Sequence, residues 1–472
     1  MNMRRIHARL PVYRVEAAGR TLLYAPGRAL ELKAADADAL QRSFESGGFA
    51  MAGDLSLAAA VLKDAAQAAL RERQAQLDAP IAPLCLTVLV SNRCNLACTY
   101  CYSALEREPR RRTIGIPIVS RAAREVVDVN LVERAAHVVA GHCARAERPL
   151  TVVFHGGGEP TLQGERLPQL VACTQRAAID AGIRWWGYIA TNGAMSERRA
   201  QWLASTFDRI GLSCDGTPAL HDQQRPTRSG RGSWLQVCRT GQALRRAGAD
   251  FDLRVTVTRN GIEPLPATVR HLFEAFGARL LRVEPVYSSD GSAAPTLDAD
   301  DAAAFVEAFL SAREWAREHG GDVELSGTRP REIHGPYCNP LRDVLQITPD
   351  GIASACFASS SRAVAERRGH VVGTLLLGTD AIVWDRSAIE RGRRNALALA
   401  SRCDECVNAM HCVRDCPTVC HFQPQGAHAK QDDSFRCRVW KACSIDWMLR
   451  HAVSVEALSS PVPASGNPGK PS

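Results

Sequence analysis

No run of apolar residues in this chain approaches the roughly 18 that a bilayer-spanning helix requires. The basic start Met1, Asn2, Met3, Arg4, Arg5 is not followed by the apolar core of a secretion signal. Both absences set the same expectation, a cytoplasmic protein with no membrane partner. Aromatic residues are scarce, 6% of the chain, and they are not interleaved with basic clusters as base-stacking platforms require. Nucleic acid is therefore not an expected partner. Charge of neither sign dominates: 58 Lys and Arg face 50 Asp and Glu, a net +8 over 472 residues. Arginine-rich runs at 110–112 and 391–394 read as solvated faces, able also to attract an acidic peptide or a phosphate.

The chain is 46% hydrophobic and 23% charged, which is ordinary for a globular protein. Its length exceeds what one core usually holds, so two or three domains are expected. Cysteine is what the chain has in excess, with 17 residues. In a reducing cytoplasm such density points to metal or redox chemistry rather than disulfides. The placement agrees, because three cysteines lie at 94–101 and nine lie after residue 337. Cys85, Cys143, Cys173, Cys214 and Cys238 stand apart and read as small core residues.

The first group is Cys94, Cys98 and Cys101 in a CxxxCxxC loop. It follows an apolar run at 84–90 that reads as a buried strand opening at Ser91, Asn92 and Arg93. Three thiolates on one short loop can hold three corners of a [4Fe–4S] cluster and leave the fourth iron for a small molecule. Three cysteines can also be half of a zinc site. With this spacing after a first strand, the chain resembles the radical S-adenosylmethionine (radical SAM) enzymes.

The rest of the chain extends the resemblance. Strand patterns at 85–90, 150–155, 186–190, 209–213, 251–258 and 280–286 alternate with helical patterns at 131–142, 167–181, 197–207, 233–247 and 266–276. Six βα units imply a parallel sheet wrapped by helices, with chemistry at the C-terminal ends of the strands. The second strand ends in His155, Gly156, Gly157, Gly158, Glu159, Pro160, where glycines permit close backbone approach and Glu159 can receive an ammonium. This resembles the family's GGEP motif, which holds the methionyl amino group of SAM. Thr191, Asn192, Gly193 match its TNG turn. The resemblance implies that Ser213 meets the ribose or carboxylate end of SAM, Arg225 its carboxylate, and Tyr100 the adenine. Asp215, His221 and Asp222 are typical of the branch that modifies proteins and peptides, and Asp215 and His221 are the side chains expected to act catalytically. The His221–Asp222 pair reads equally as a buried structural pair. Arg254 on the fifth strand either neutralises the site or makes a surface ion pair.

Residues 1–80 read as a small α+β domain: alternation over 12–24 around a Gly19 turn, then helices at 34–43 and 55–77, the second capped by Asp54. It bears a faint likeness to the winged-helix peptide-recognition domains fused to peptide-modifying enzymes. Residues 288–330 read as a polar connector with one helix at 298–319, and the Pro/Ser/Gly-rich end of 455–472 as a disordered tail.

Beyond 330 the cysteines fall in the order Cys338, Gly351, Cys356, then Cys403, Cys406, Cys412, Cys416, and after a gap Cys437. This CxnGx4C–gap–CxxCx5CxxxC–gap–C order resembles the SPASM domain, an auxiliary iron–sulfur module, and the resemblance then covers about residues 82–445. It implies that Cys338, Cys356 and Cys416 bind one auxiliary cluster and that Cys403, Cys406, Cys412 and Cys437 bind a second. Cys420 and Cys443 lie close enough to replace Cys437, and a CxxC pair alone would also fit a zinc knuckle. No further cysteine stands near Glu332, so the first auxiliary cluster is expected to keep an open iron or a non-cysteine ligand. Phe357 follows Cys356 where the sulfatase-maturing branch has an aspartate, which counts against formylglycine formation.

The fold class expected is therefore α/β. It comprises a partial (β/α)6 TIM-like radical SAM barrel at 82–325, a small N-terminal α+β domain and a cysteine-rich SPASM domain at 330–450. The resemblance implies SAM and three [4Fe–4S] clusters as cofactors, with an electron donor such as flavodoxin or ferredoxin. It further implies a 5′-deoxyadenosyl radical used to oxidise or crosslink side chains of a ribosomally made precursor peptide. An anaerobic sulfatase-type or quinoprotein-subunit maturase, acting on a protein substrate, is the alternative within enzymes. A non-catalytic iron–sulfur or zinc binding protein is the alternative outside them.

Overall fold

The computed structural model describes residues 2–47, 51–101, 103, 126–286, 297–327, 329–334, 338–375, 382–400, 403–412 and 434–458. The chain opens with an antiparallel meander of β1 (Asn2–Arg5), β2 (Tyr13–Ala17), β3 (Arg20–Ala25) and β4 (Arg28–Leu32), followed by helices Ala34–Ser46 and Gly53–Asp78. The second helix starts a residue before Asp54, so Ala52 takes the cap position expected for Asp54.

All six strands anticipated downstream are present: β5 (Cys85–Leu89), β6 (Leu150–His155), β7 (Trp185–Thr191), β8 (Arg209–Ser213), β9 (Phe251–Val257) and β10 (Leu280–Pro285). A seventh, β11 (Asp322–Glu324), adds to β10 within the stretch expected to be a polar connector. Three residues carry too little alternation to be seen in sequence. Asp322 is held there by Arg313 at 3.0 Å and Arg317 at 3.1 Å.

Strands β5 to β11 lie side by side in chain order and run parallel. With right-handed crossovers, a strand order that never reverses keeps every crossover helix on one face. The other face is left open. Alternation divides the strands accordingly: Leu150, Val152 and Phe154 of β6 are buried beneath helices, whereas Thr151, Val153 and His155 are only half-buried. The sheet continues past β5 with β12 (Val344–Ile347), which is parallel to it, and then the antiparallel strands β13 (Ile352–Ser354), β14 (Val371–Leu375) and β15 (Ile382–Trp384). The resulting eleven strands do not close on themselves among the described residues, which is the geometry of a partial barrel.

The chain returns to its beginning. After helix Phe435–His451, the two-residue strand β16 (Val453–Ser454) pairs with β4, and helix Val455–Leu458 places Val455 in the N-terminal core. The tail expected from 455 therefore starts later, because Val455 gains apolar cover there; residues 459–472 lie outside the described residues. One face of the N-terminal sheet packs on its own helices through Leu23, Leu30, Leu40, Phe44 and Leu62. The other, carrying Tyr13, Val15, Leu22 and Tyr24, packs on Val407, Ile445 and Met448. No helix among the described residues is long and apolar enough to cross a membrane.

Candidate active site

The loop bearing Cys94, Cys98 and Cys101 leaves the C-terminal end of β5 and is stitched to neighbouring strand ends by its backbone. Ala97 N–H donates to the Pro226 carbonyl at 2.8 Å, Thr99 N–H to Gln224 at 3.0 Å, and Arg228 N–H to Asn95 at 3.2 Å. Asn95 Nδ2 reaches the Ala194 carbonyl at 2.8 Å and its Oδ1 accepts from Asn192 Nδ2 at 2.8 Å. Asn192 Nδ2 also lies 3.6 Å from Cys94 Sγ, so the TNG turn touches the cysteine loop directly. The three cysteines are half-buried. Burial pushes the Cys98 thiol up to about 12, while Arg225 pulls it down and Cys101, Asp215 and Cys94 push with the burial. Among the described residues, no three such groups converge tightly enough to clasp a single metal ion. A cubane takes its thiolates at separate corners instead, and three thiols on one loop, free of competing imidazoles, fit it.

The glycine segment is shaped by this loop rather than by an open pocket. A Cβ on Gly158 would stand 2.0 Å from the Arg93 carbonyl oxygen, and one on Gly157 would stand 2.4 Å from Asn92 Oδ1. Gly158 N–H donates to Ser91 at 2.9 Å and Glu159 N–H to Arg93 at 2.7 Å, continuing the β5–β6 pairing past the strands. Glu159 is engaged from within the protein. Its carboxylate accepts from Thr161 N–H, Thr161 Oγ1 and Thr191 Oγ1 on Oε1 and from Asn192 N–H on Oε2, at 2.7–3.1 Å. Glu159 thereby ties the ends of β6 and β7 together, and Oε2 keeps a lone pair for a further donor. Burial raises its pKa, and the four donors oppose that.

Asp215 and His221 are held by neighbouring elements. Asp215 accepts from Arg225 Nε at 2.9 Å, Arg225 Nη2 at 3.0 Å, Tyr100 Oη at 2.6 Å and Thr256 N–H at 3.0 Å. Two donors fall on each oxygen, and the carboxylate fixes Arg225 over the Tyr100 ring, 5.4 Å from the centroid. Burial holds the Tyr100 phenol well above its usual pKa, in keeping with its role as donor. His221 is fully buried, with Nδ1 accepting from Asp215 N–H at 3.3 Å and Nε2 3.0 Å from Ser233 Oγ. Because Ser233 spends its only proton on the Arg225 carbonyl at 2.6 Å, His221 must donate through Nε2. That makes it the neutral tautomer, and burial lowers its pKa to about 4. Asp222 accepts from Ser233 N–H and Trp234 N–H and starts the helix Trp234–Arg246. These contacts hold Arg225 and the start of the helix Trp234–Arg246 in place. Ser213 stays half-buried at the end of β8, in register with Arg254.

Gln224 had no sequence signal: it is buried beside the cysteine loop, and neither of its amide atoms has a partner among the described residues. On the open face of the sheet, Arg254 Nη1 lies 3.5 Å from His155 Nε2. Next to them Glu284 accepts from Ser326 N–H at 3.2 Å, and its second oxygen has no partner among the described residues. Burial and Arg254 together lower the His155 pKa to about 4, and burial raises that of Glu284.

Of the C-terminal cysteines, Cys403, Cys406, Cys412 and Cys437 line one cavity of about 40 Å³ with Asn408, Arg436, Trp440 and Lys441. Cys406 N–H donates to the Cys403 carbonyl at 2.9 Å, and Cys412 N–H to the Asn408 carbonyl at 2.9 Å. Cys437 sits in the first turn of its helix, where its N–H bonds the Ser434 cap at 3.2 Å. Four thiols with no carboxylate or imidazole among them, and two cations to offset their charge, fit a thiolate-bound cluster. Cys443 points elsewhere, into the main core. Cys356 is buried after β13, its carbonyl accepting from Gln346 Nε2 at 2.8 Å, and Cys338 precedes the turn Asn339–Leu341. Cys416 and Cys420 lie outside the described residues.

Residues 88–272 match the model of the Radical SAM superfamily. The chain is 27% identical over 371 residues to the serine-type anaerobic sulfatase-maturating enzyme of Klebsiella aerogenes, spanning 74% of this chain and 84% of that protein. It is 27% identical over 361 residues to the mycofactocin maturase MftC of Mycolicibacterium smegmatis, spanning 72% and 80%. Among solved structures, native anSMEcpe with bound AdoMet superposes with a TM-score of 0.57 at 16% identity, covering 78% of this chain and 99% of that one. That likeness is one of fold.

Proposed function

The chain belongs to the radical SAM superfamily, and from that premise we propose that it oxidatively modifies or crosslinks side chains of a ribosomally made peptide. SAM and the radical SAM iron–sulfur cluster are its cofactors; together, when bound, they supply reductive cleavage of the sulfonium and a carbon radical that abstracts hydrogen. Cys94, Cys98 and Cys101 hold that cluster. Ser213, Gln224 and the Tyr100–Arg225 pair surround the place where SAM binds, with Asp215, His221 and Ser233 holding the last pair in position. The open face of the sheet, with His155, Arg254 and Glu284, receives the substrate side chain and excludes water from it.

The observation that carries the oxidative half is the set of four thiols, Cys403, Cys406, Cys412 and Cys437, around one cavity. A zinc ion needs its sulfurs drawn in to about 2.3 Å, and among the described residues no three such groups converge that tightly. A cubane takes its thiolates at separate corners. We assign that cavity an auxiliary cluster that takes the electron left on the substrate, and a second auxiliary cluster to Cys338, Cys356 and Cys416, for three [4Fe–4S] clusters in all. Flavodoxin or ferredoxin supplies the first electron. The N-terminal domain is the docking surface for the precursor peptide. Maturation of a sulfatase-type protein is disfavoured by Phe357, which puts a half-exposed phenyl ring where that branch has an aspartate.

The test is anaerobic incubation of the reconstituted chain with SAM, dithionite and short peptides encoded by neighbouring reading frames. The expected product is a peptide lighter by two hydrogens, formed together with 5′-deoxyadenosine. A methylated peptide, or SAM consumed with the peptide unchanged, would contradict the proposal.

A further inference from the structure

Asn408 lies between Cys406 and Cys412 on the wall of the cysteine cavity and is 2% exposed. Its backbone is fully employed: the carbonyl accepts from His411 N–H and Cys412 N–H at 2.9 Å, and the N–H bonds the Cys406 thiol. Among the described residues its side chain is not employed, since neither Nδ2 nor Oδ1 has a partner. Tyr13, on β2 of the N-terminal sheet, is 1% exposed and its buried hydroxyl is likewise unpartnered among the described residues. Tyr13 shares a buried apolar cluster with Val407, the residue between Cys406 and Asn408. The approach is fixed by β1, where Arg5 donates to the Asp404 carbonyl at 3.0 Å and pairs with Glu405 at 3.6 Å.

An unsatisfied buried donor costs about 1–3 kcal/mol, and two beside one cysteine call for a common acceptor. Thiolate and sulfide sulfurs of a bound cluster are acceptors of that kind. We propose that the Asn408 amide and the Tyr13 hydroxyl donate hydrogen bonds to sulfurs of the cluster held by Cys403, Cys406, Cys412 and Cys437, and so set its reduction potential. This rests on the reading of the cavity as a cluster site. Each added electron makes the sulfurs more negative, so donors favour the reduced state and raise the potential. The cluster becomes a better acceptor for an electron leaving the substrate, and the N-terminal sheet contributes to it directly.

The test is a redox titration of the reconstituted full-length chain followed by electron paramagnetic resonance. The cavity's signal is identified as the one missing from C406A. In N408L and in Y13F that signal should titrate at a lower potential, by about tenfold in the reduction equilibrium or about 59 mV for one electron, at unchanged iron content. N408A serves if leucine blocks assembly. An unmoved potential in N408A and Y13F, with iron retained, overturns the proposal. Failure of C406A to remove any signal overturns the cluster reading itself, a different result.

Discussion

Replacing Cys98 by alanine is expected to lower 5′-deoxyadenosine formation by on the order of a thousandfold or more, with the fold unchanged. Three thiolates are the whole protein ligand set of the loop, and losing one leaves the cluster on two. The loop itself does not depend on that side chain. Its shape is held by Ala97 N–H on Pro226, Thr99 N–H on Gln224, and Cys101 N–H on the Cys98 carbonyl at 3.2 Å, all of which alanine preserves. Far-ultraviolet circular dichroism and the melting temperature should therefore match the parent, while chromatographic assay of SAM cleavage finds only background. Cleavage within tenfold of the parent would place the radical chemistry somewhere other than this loop.

Arg225→Met should be the most destabilising single change among the residues around the site, by about 3–5 kcal/mol. The guanidinium gives two of the four hydrogen bonds on Asp215, and the Asp215 side chain is wholly buried while that of Arg225 is 8% exposed. Removing it strands a carboxylate without its countercharge. Asp215→Asn in the same chain should recover part of the loss, since the amide carries no charge, and the double variant separates the pair from its surroundings. Urea denaturation of the three variants measures this. An Arg225→Met variant within 1 kcal/mol of the parent would mean that the pair is solvated rather than buried.

What could be read from sequence divides by the range of the interaction. The six strands were legible because each is an apolar run with a polar residue at its end. The cysteine loop and the C-terminal array were legible because spacing along the chain is itself the signal. The partners of Glu159, Asp215 and His221 were not legible for one reason: residue type announces a titratable group, but its partners come from elsewhere. Asp215 is satisfied from positions 100, 225 and 256, and Glu159 from 161, 191 and 192. Strand β12 pairs with β5 across some 260 residues of chain, and β16 completes a sheet begun at residue 2; no local pattern carries either. Gln224 and Asn408 were invisible because an amide belongs to no motif, and only the absence of a partner marks it.

The most direct measurement is iron, sulfide and zinc per chain after anaerobic reconstitution. About twelve irons and no zinc are expected, for one cluster on Cys94, Cys98 and Cys101 and two held by the C-terminal cysteines. About four irons with zinc present would make the C-terminal array a zinc module and remove the electron acceptor on which oxidative modification depends.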